Sequence, residues 1–155
     1  MKTCVITGYI KTNDKEYIRR IIRYEIIRAV LDGHTHFISG LANWVDMEFA
    51  GLIAEAKKVL PSITLEAVIP YRSKLTERTN PKFQKLLGKC DKITVTSEEY
   101  SRKCYRTRNQ YIVEKSDKIV AVFSGCIPGR TQRGGTTQII RIAREKKRDI
   151  KFIRI

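Results

Sequence analysis

Lys2-Thr3-Cys4-Val5-Ile6-Thr7-Gly8 and the 60 or so residues behind it (a rough span, by the usual size of strand–helix repeats) decide the fold. Lys2 to Thr7 is β-branched and apolar, the composition of a strand buried on both faces, and Gly8-Tyr9 supplies a turn after it. Asp14 is placed to cap a helix in which Ile18, Ile21, Ile22, Ile26, Ala29 and Val30 recur at three- and four-residue spacing, with Arg19, Arg20, Arg23 and Glu25 on the polar side. Asp32-Gly33 stops that helix. His36 to Ser39 predicts a second strand, Gly40 a turn, and Val45 to Leu60 a second helix with Phe49, Leu52, Ile53 and Ala56 facing inward, ended by Pro61. Ile63 to Ile69 alternates as a third strand and stops at Pro70. Strand, helix, strand, helix, strand in this order implies a parallel sheet with right-handed crossovers.

The rest extends the same plan. Tyr71 to Asn80 is a polar connection, Pro81 to Leu87 a short helix, Lys92 to Thr96 a weaker fourth strand and Ser97 to Arg102 a loop. Tyr105 to Lys115 predicts a helix presenting Arg108 and Asn109, and Ile119 to Phe123 a fifth strand. Gln138 to Lys147 predicts a last helix, and Ile150 to Ile155 a sixth strand. No internal repeat or linker interrupts residues 1–155. The expectation is one α/β domain: a Rossmann-like three-layer sandwich, with a mostly parallel sheet of about six strands and helices on both faces. Ligands of such sheets bind where strand carboxyl ends meet helix amino ends.

Three loops fall on that edge: Thr7-Gly8-Tyr9, Ser39 to Asp46, and Ser124 to Thr137. The last reads Ser-Gly-Cys-Ile-Pro-Gly-Arg-Thr-Gln-Arg-Gly-Gly-Thr-Thr, and no Asp or Glu occurs from Lys118 through Arg144. A glycine-rich loop that leaves a strand and opens a helix can turn several N–H groups toward one anion, helped by the helix dipole. Gly125, Gly134 and Gly135 permit close backbone approach, Thr136 and Thr137 bring hydroxyls, and Arg130 and Arg133 bring full charges. A plain turn that starts a helix explains the glycines alone equally well; the paired arginines favour a phosphate. Asp46 suits either ribose hydroxyls or a helix cap, and Trp44 either a base or packing. His34 and His36 are expected to serve structure.

Composition narrows the function further. The 155 residues are 42% hydrophobic and carry a formal charge of +15. Residues 100–155 hold 15 Lys or Arg against 4 Asp or Glu, net +11, while residues 1–99 hold 16 against 12, net +4. A basic C-terminal half points to nucleic acid, another polyanion or a nucleotide-sized anion, or else to a solvated face. The apolar N-terminal stretch is too short and broken for a signal peptide, and no run approaches a membrane span, so a soluble cytoplasmic protein is expected. Cys4, Cys90, Cys104 and Cys126 lie far apart in sequence and form no Cys-x-x-Cys pair, which makes free thiols the expectation and leaves a zinc site or disulfide framework without support. No Ser-His-Asp or Cys-His set and no metal cluster stands out, and no cofactor is expected.

At this point the residues carry a resemblance. Ile6-Thr7-Gly8, then Ser39-Gly40 with Val45-Asp46 ahead of a helix containing Ala50 and Ala54, then Arg108-Asn109 with Ser116-Asp117 before a strand, then Gly134-Gly135-Thr136, resemble the SLOG superfamily, most closely its YpsA-like branch, whose members are largely of unknown function. The succession covers nearly the whole chain. The resemblance implies a Rossmann-like fold and a pocket for nucleotide-derived ligands, and its wider relatives include the LOG phosphoribohydrolases and the DNA-processing protein DprA. Trp44 departs from the pattern, since the relatives usually carry glycine before the Val-Asp pair. The LOG enzymes carry a glutamate three residues after the Gly-Thr of the glycine-rich motif, and here that position is Ile139, which cannot transfer a proton. Asp46 and Glu48 are the only nearby replacements.

These readings give an expected ligand site of Gly8, Tyr9, Ser39, Gly40, Trp44, Asp46, Arg108, Asn109, Gly125, Arg130, Arg133, Gly134, Gly135, Thr136 and Thr137. The expected ligand is a nucleotide or nucleotide-sugar phosphate, such as an ADP-ribose-like or cyclic-nucleotide signal, bound by a sensor or sequestering protein without catalysis. The rival enzyme is a nucleotide N-glycosidase using Asp46 or Glu48. The rival binder is a DprA-like nucleic-acid protein using the basic residues of 102–108 and 141–151 with Tyr100, Tyr105 and Tyr111. A second copy of the chain is a further partner to test.

Overall fold

The computed structural model describes residues 1–78, 80–125 and 134–155. Six strands form one sheet: β1 (Lys2–Tyr9), β2 (His34–Ser39), β3 (Thr64–Ile69), β4 (Lys92–Val95), β5 (Lys118–Phe123) and β6 (Ile150–Arg154), in the order β4-β3-β2-β1-β5-β6. Every neighbouring pair is parallel. Helices α1 (Lys15–Leu31), α2 (Trp44–Ala56), α3 (Pro81–Leu87), α4 (Cys104–Lys115) and α5 (Gly135–Glu145) make the crossovers.

The side-chain alternation of the strands divides these helices between two faces. Cys4 and Ile6 of β1, Phe37 of β2, and Leu65, Ala67 and Ile69 of β3 pack with Ile18, Ile22 and Ile26 of α1, Phe49 and Ile53 of α2, and Phe83 of α3. Val5, Ile38, Val68 and Ile119 point the other way and meet Ile112 and Val113 of α4 and Ile139 and Ile142 of α5. A parallel sheet needs such cover on both sides, which is why its strands are near-continuous apolar runs. Helix ends follow their caps: the Asp14 carboxylate accepts from the Tyr17 N–H at 3.1 Å at the start of α1, and Gly33 follows that helix with φ +90°.

Most predicted boundaries move by a residue or two, and the larger or more telling shifts are at β1, β2, α2 and α5. Gly8 and Tyr9 do not turn the chain; they continue β1, because β5 pairs with it as far as Tyr9 opposite Phe123. Gly8 is needed there for packing, since a side-chain carbon at that position would run into the Val122 carbonyl oxygen. β2 begins at His34, ahead of the predicted His36, and α2 closes at Ala56, where a run of turns to Leu60 takes over. α5 starts at Gly135, so Thr136 and Thr137 stand in its first turn. The polar connection after β3 holds a 3-10 turn, Arg72–Thr76.

Candidate functional site

β1 is flanked by β2 and β5, and the chain reverses its direction of travel across the sheet between β1 and β5. At such a switch point the two outgoing connections separate and leave a crevice at the carboxyl ends of the strands. Here Val5 and Thr7 of β1 form its floor. Gly40, Ala42, Asn43 and Asp46, from the end of β2 to the start of α2, form one wall. Arg108, Asn109 and Ile112 of α4 form another, and Gly135, Thr136 and Ile139 of α5 close it. The enclosed part measures about 10 Å³, the space of roughly one water molecule.

Each wall is fixed by hydrogen bonds that trace back to sequence. The Asn43 carboxamide accepts from the Asp46 N–H at 3.0 Å and caps α2. That frees the Asp46 side chain from capping: its carboxylate accepts from the Ala42 N–H at 3.1 Å, and the Ser39 hydroxyl donates to the Asp46 carbonyl at 3.0 Å. Leu41, between them, has φ +48°, an uncommon conformation for a side chain of its size, held by burial and by its N–H on the Ser39 hydroxyl at 3.2 Å. Across the crevice, Arg108 donates to the Asn109 side-chain oxygen at 3.1 Å and to the Gly40 carbonyl at 3.4 Å. Asn109 donates in turn to Gln138 at 2.7 Å, tying α4 to α5. The Thr7 and Thr136 hydroxyls meet at 3.2 Å.

A carboxyl and a guanidinium are therefore buried in one small space. Asp46 is 5% and Arg108 4% exposed. Burial pushes the Asp46 carboxyl above its ordinary value, and the nearby Arg108 charge and the Ala42 N–H only partly counter it. Burial also draws Arg108 below its ordinary value, with Asp46 opposing. The arrangement offers a cation, two hydroxyls and a helix amino end to an anion, and a carboxyl to a hydroxyl or a leaving group.

Of the sequence-predicted residues, Gly40, Asp46, Arg108, Asn109, Gly135 and Thr136 converge on this crevice. Ser39 supports its loop from below, and Gly134, with φ +126°, makes the bend into α5 that glycine alone takes readily. Gly8, Tyr9, Trp44, Gly125 and Thr137 do not line it. Tyr9 is exposed with the Lys11 ammonium 5.8 Å from its ring, and Trp44, the first residue of α2, packs against the core with the Lys15 ammonium 5.5 Å from its ring. Arg130 and Arg133 lie outside the described residues, as do Cys126 and most of the glycine-rich loop. Glu48 is turned away: Arg19 and Lys82 hold its carboxylate at 3.0 and 2.7 Å. Asn43 and Thr7 belong to the crevice without having been singled out, although the position of Asn43 before a helix is a capping signal.

The two histidines are buried in polar contacts. His34 Nδ1 meets the Ala29 carbonyl at 3.0 Å, and His36 bridges Thr64 and Glu66 at 2.7 Å each. Tyr111 and Thr94 donate to the other Glu66 oxygen at 2.8 and 2.7 Å. The Tyr111 hydroxyl is thus committed to the sheet. Cys4, Cys90 and Cys104 are free thiols; no group of three or more His, Cys, Asp or Glu suited to a metal exists among the described residues, and none of their helices is long and apolar enough to cross a membrane.

The YpsA model, described as the YspA SLOG family, matches residues 5–155. Among similar proteins are a UPF0398 protein of Bacillus cereus (strain ATCC 14579), 26% identical over 83% of this chain and 78% of its own length, and that of Bacillus thuringiensis (strain Al Hakam), with the same figures. The UPF0398 protein of Halalkalibacterium halodurans is 24% identical over 83% of this chain and 76% of its own. With the model matched from the first strand to the last residue, the chain belongs to the YpsA family of the SLOG proteins.

Proposed function

We propose that this protein binds a nucleotide or nucleotide-sugar phosphate at the switch-point crevice and acts as a sensor or sequestering protein. The observation that carries the reading is the buried Arg108 guanidinium, set beside the amino end of α5 and the Thr136 hydroxyl, at the strand edge where α/β sheets take their ligands. The wall position next to Thr136 that an N-glycosidase of this superfamily would fill with glutamate is Ile139, 4% exposed and apolar. The enclosed space admits a phosphate oxygen or a water, so sugar and base would lie on the open edge.

One observation favours the N-glycosidase instead. A carboxyl whose pKa is raised by burial is what a general acid needs, and Asp46 is such a group. Mass spectrometry of small molecules released from the purified protein by denaturation separates the two. An intact nucleotide supports binding without chemistry; free base and sugar phosphate accumulating from an added nucleotide, abolished by Asp46→Asn, replaces it with the enzyme.

A further inference from the structure

Three tyrosines from three separate stretches meet beside the crevice. Tyr71 follows β3, Tyr100 lies in the connection after β4, and Tyr105 sits in the first turn of α4. Their rings pack edge to face in all three pairings, with centroids 5.4 Å apart for Tyr71 and Tyr100, 6.3 Å for Tyr71 and Tyr105, and 6.4 Å for Tyr100 and Tyr105. Tyr71 is buried and anchors the trio through its hydroxyl on Glu77 at 2.8 Å, while Tyr100 and Tyr105 are 67% and 38% exposed. Folding has fixed two aromatic rings and left Tyr100 largely and Tyr105 partly wet, a poor use of apolar area unless something flat covers them.

Arg108 connects this cluster to the crevice. Its guanidinium carbon lies 5.4 Å from the Tyr105 ring centroid, and one of its terminal nitrogens lies 3.8 Å from where a side-chain carbon would stand at Gly135. One guanidinium thus separates the aromatic rings from the amino end of α5, a gap that a single nucleotide spans. The enclosed part of the crevice has room for one phosphate oxygen, so a phosphate seated at its mouth leaves its base outside. We propose that Tyr100 and Tyr105, whose rings stand 77° apart, form a corner for the base of the bound nucleotide, with the more exposed Tyr100 stacking on its face and Tyr105 meeting its edge, an inference that rests on the phosphate reading of the crevice. A nucleic-acid strand is the rival occupant and is left to the test: Arg102, Lys103 and Arg106 flank Tyr105 in sequence, while Glu98 and Glu77 are taken up by Arg72 and Lys74.

The test compares AMP with ribose 5-phosphate, which has the same phosphate and sugar and no base, by calorimetry on the full chain. The wild type should bind AMP more tightly than ribose 5-phosphate. Tyr100→Ala with Tyr105→Ala should weaken AMP about ten-fold, the usual scale of losing a base–aromatic stack, and weaken ribose 5-phosphate much less, through the lost contact of Tyr105 with Arg108 alone. Tyr105→Phe should keep AMP affinity, since it keeps the ring. The more exposed Tyr100→Ala alone, expected to weaken AMP in the same direction, guards against a folding defect in the double variant. Equal affinity of the wild type for the two probes, or equal loss of both in the variants, overturns the aromatic corner and leaves the phosphate site standing. Loss of oligothymidylate binding with AMP unchanged also overturns it, in favour of a strand. Failure of the wild type to bind either probe overturns the crevice reading and this inference together.

Discussion

The hydroxyl of Thr7, at the end of the first strand, lies 3.2 Å from the hydroxyl of Thr136, in the first turn of the last helix, though 129 residues separate them. This contact closes the crevice across the β1–β5 switch and sets the amino end of α5 over the sheet edge. It places Gly135 beside Arg108.

Gly135→Asp tests that placement. The neighbouring Arg108 nitrogen at 3.8 Å leaves ordinary van der Waals room for the new carbon, so the variant should fold. Its carboxylate would pair with Arg108 and repel a phosphate. AMP affinity measured by calorimetry should fall at least about ten-fold, and unchanged affinity in a folded variant would move the phosphate site elsewhere.

Asp46→Asn should stabilise the protein at neutral pH. Because burial raises the carboxyl above its unfolded value, the folded state binds its proton more tightly, and this proton-linked stability is full below the ordinary carboxylate range. It is lost as pH rises through the raised folded value. The neutral amide escapes that loss, so the melting temperature of the variant should exceed that of the wild type at pH 7, with the gap closing on acidification below about pH 4. A lower melting temperature at pH 7 would show that the Asp46 charge is stabilised rather than strained.

Glu66 behaves oppositely. Burial alone would raise its carboxyl, but hydrogen bonds from His36, Thr94 and Tyr111 outweigh this and bring it down to about 2. Glu66→Leu leaves those three groups without their acceptor and should cost about 1–3 kcal/mol at pH 7 by denaturant unfolding. The native advantage should shrink as pH falls from the ordinary glutamate range toward 2, since a depressed carboxylate stabilises only while ionised.

Ile139→Glu asks whether the crevice lacks only an acid. The side chain is buried in the wall beside Thr136, so some loss of stability is expected. Chromatography of AMP incubated with wild type should show no base release. Release in the variant, which general acid–base assistance could accelerate by about 10² to 10⁴, would mean the substrate geometry is already present. Fast release by the wild type, abolished in Asp46→Asn, would establish the N-glycosidase.

Salt separates a compact ligand from a strand on the basic half of the chain. Log affinity for single-stranded DNA falls by roughly 0.7 per phosphate neutralised for each unit of log salt. AMP should show a slope near that of one phosphate. An oligonucleotide retained at physiological salt with a slope of several phosphates would favour the nucleic-acid reading.

The order of elements, the parallel sheet and the helix faces were determined by the sequence alone, because local periodicity and caps such as Asp14 act within a few residues. The same local chemistry pointed to Gly40, Asp46, Arg108, Asn109, Gly135 and Thr136, which share one edge once the strands are parallel. Tertiary structure decided the rest. Gly8 is explained by the approach of the Val122 carbonyl, Glu48 is drawn off by Arg19 and Lys82, and Trp44 is taken up in packing against the core at the start of α2. The tyrosine cluster joins Tyr71, Tyr100 and Tyr105 by their own ring contacts, and Arg108 lies against the last of them. Such pairings depend on which strands are neighbours and how far the helices reach over them, and in a parallel sheet each neighbour lies a full crossover away along the chain.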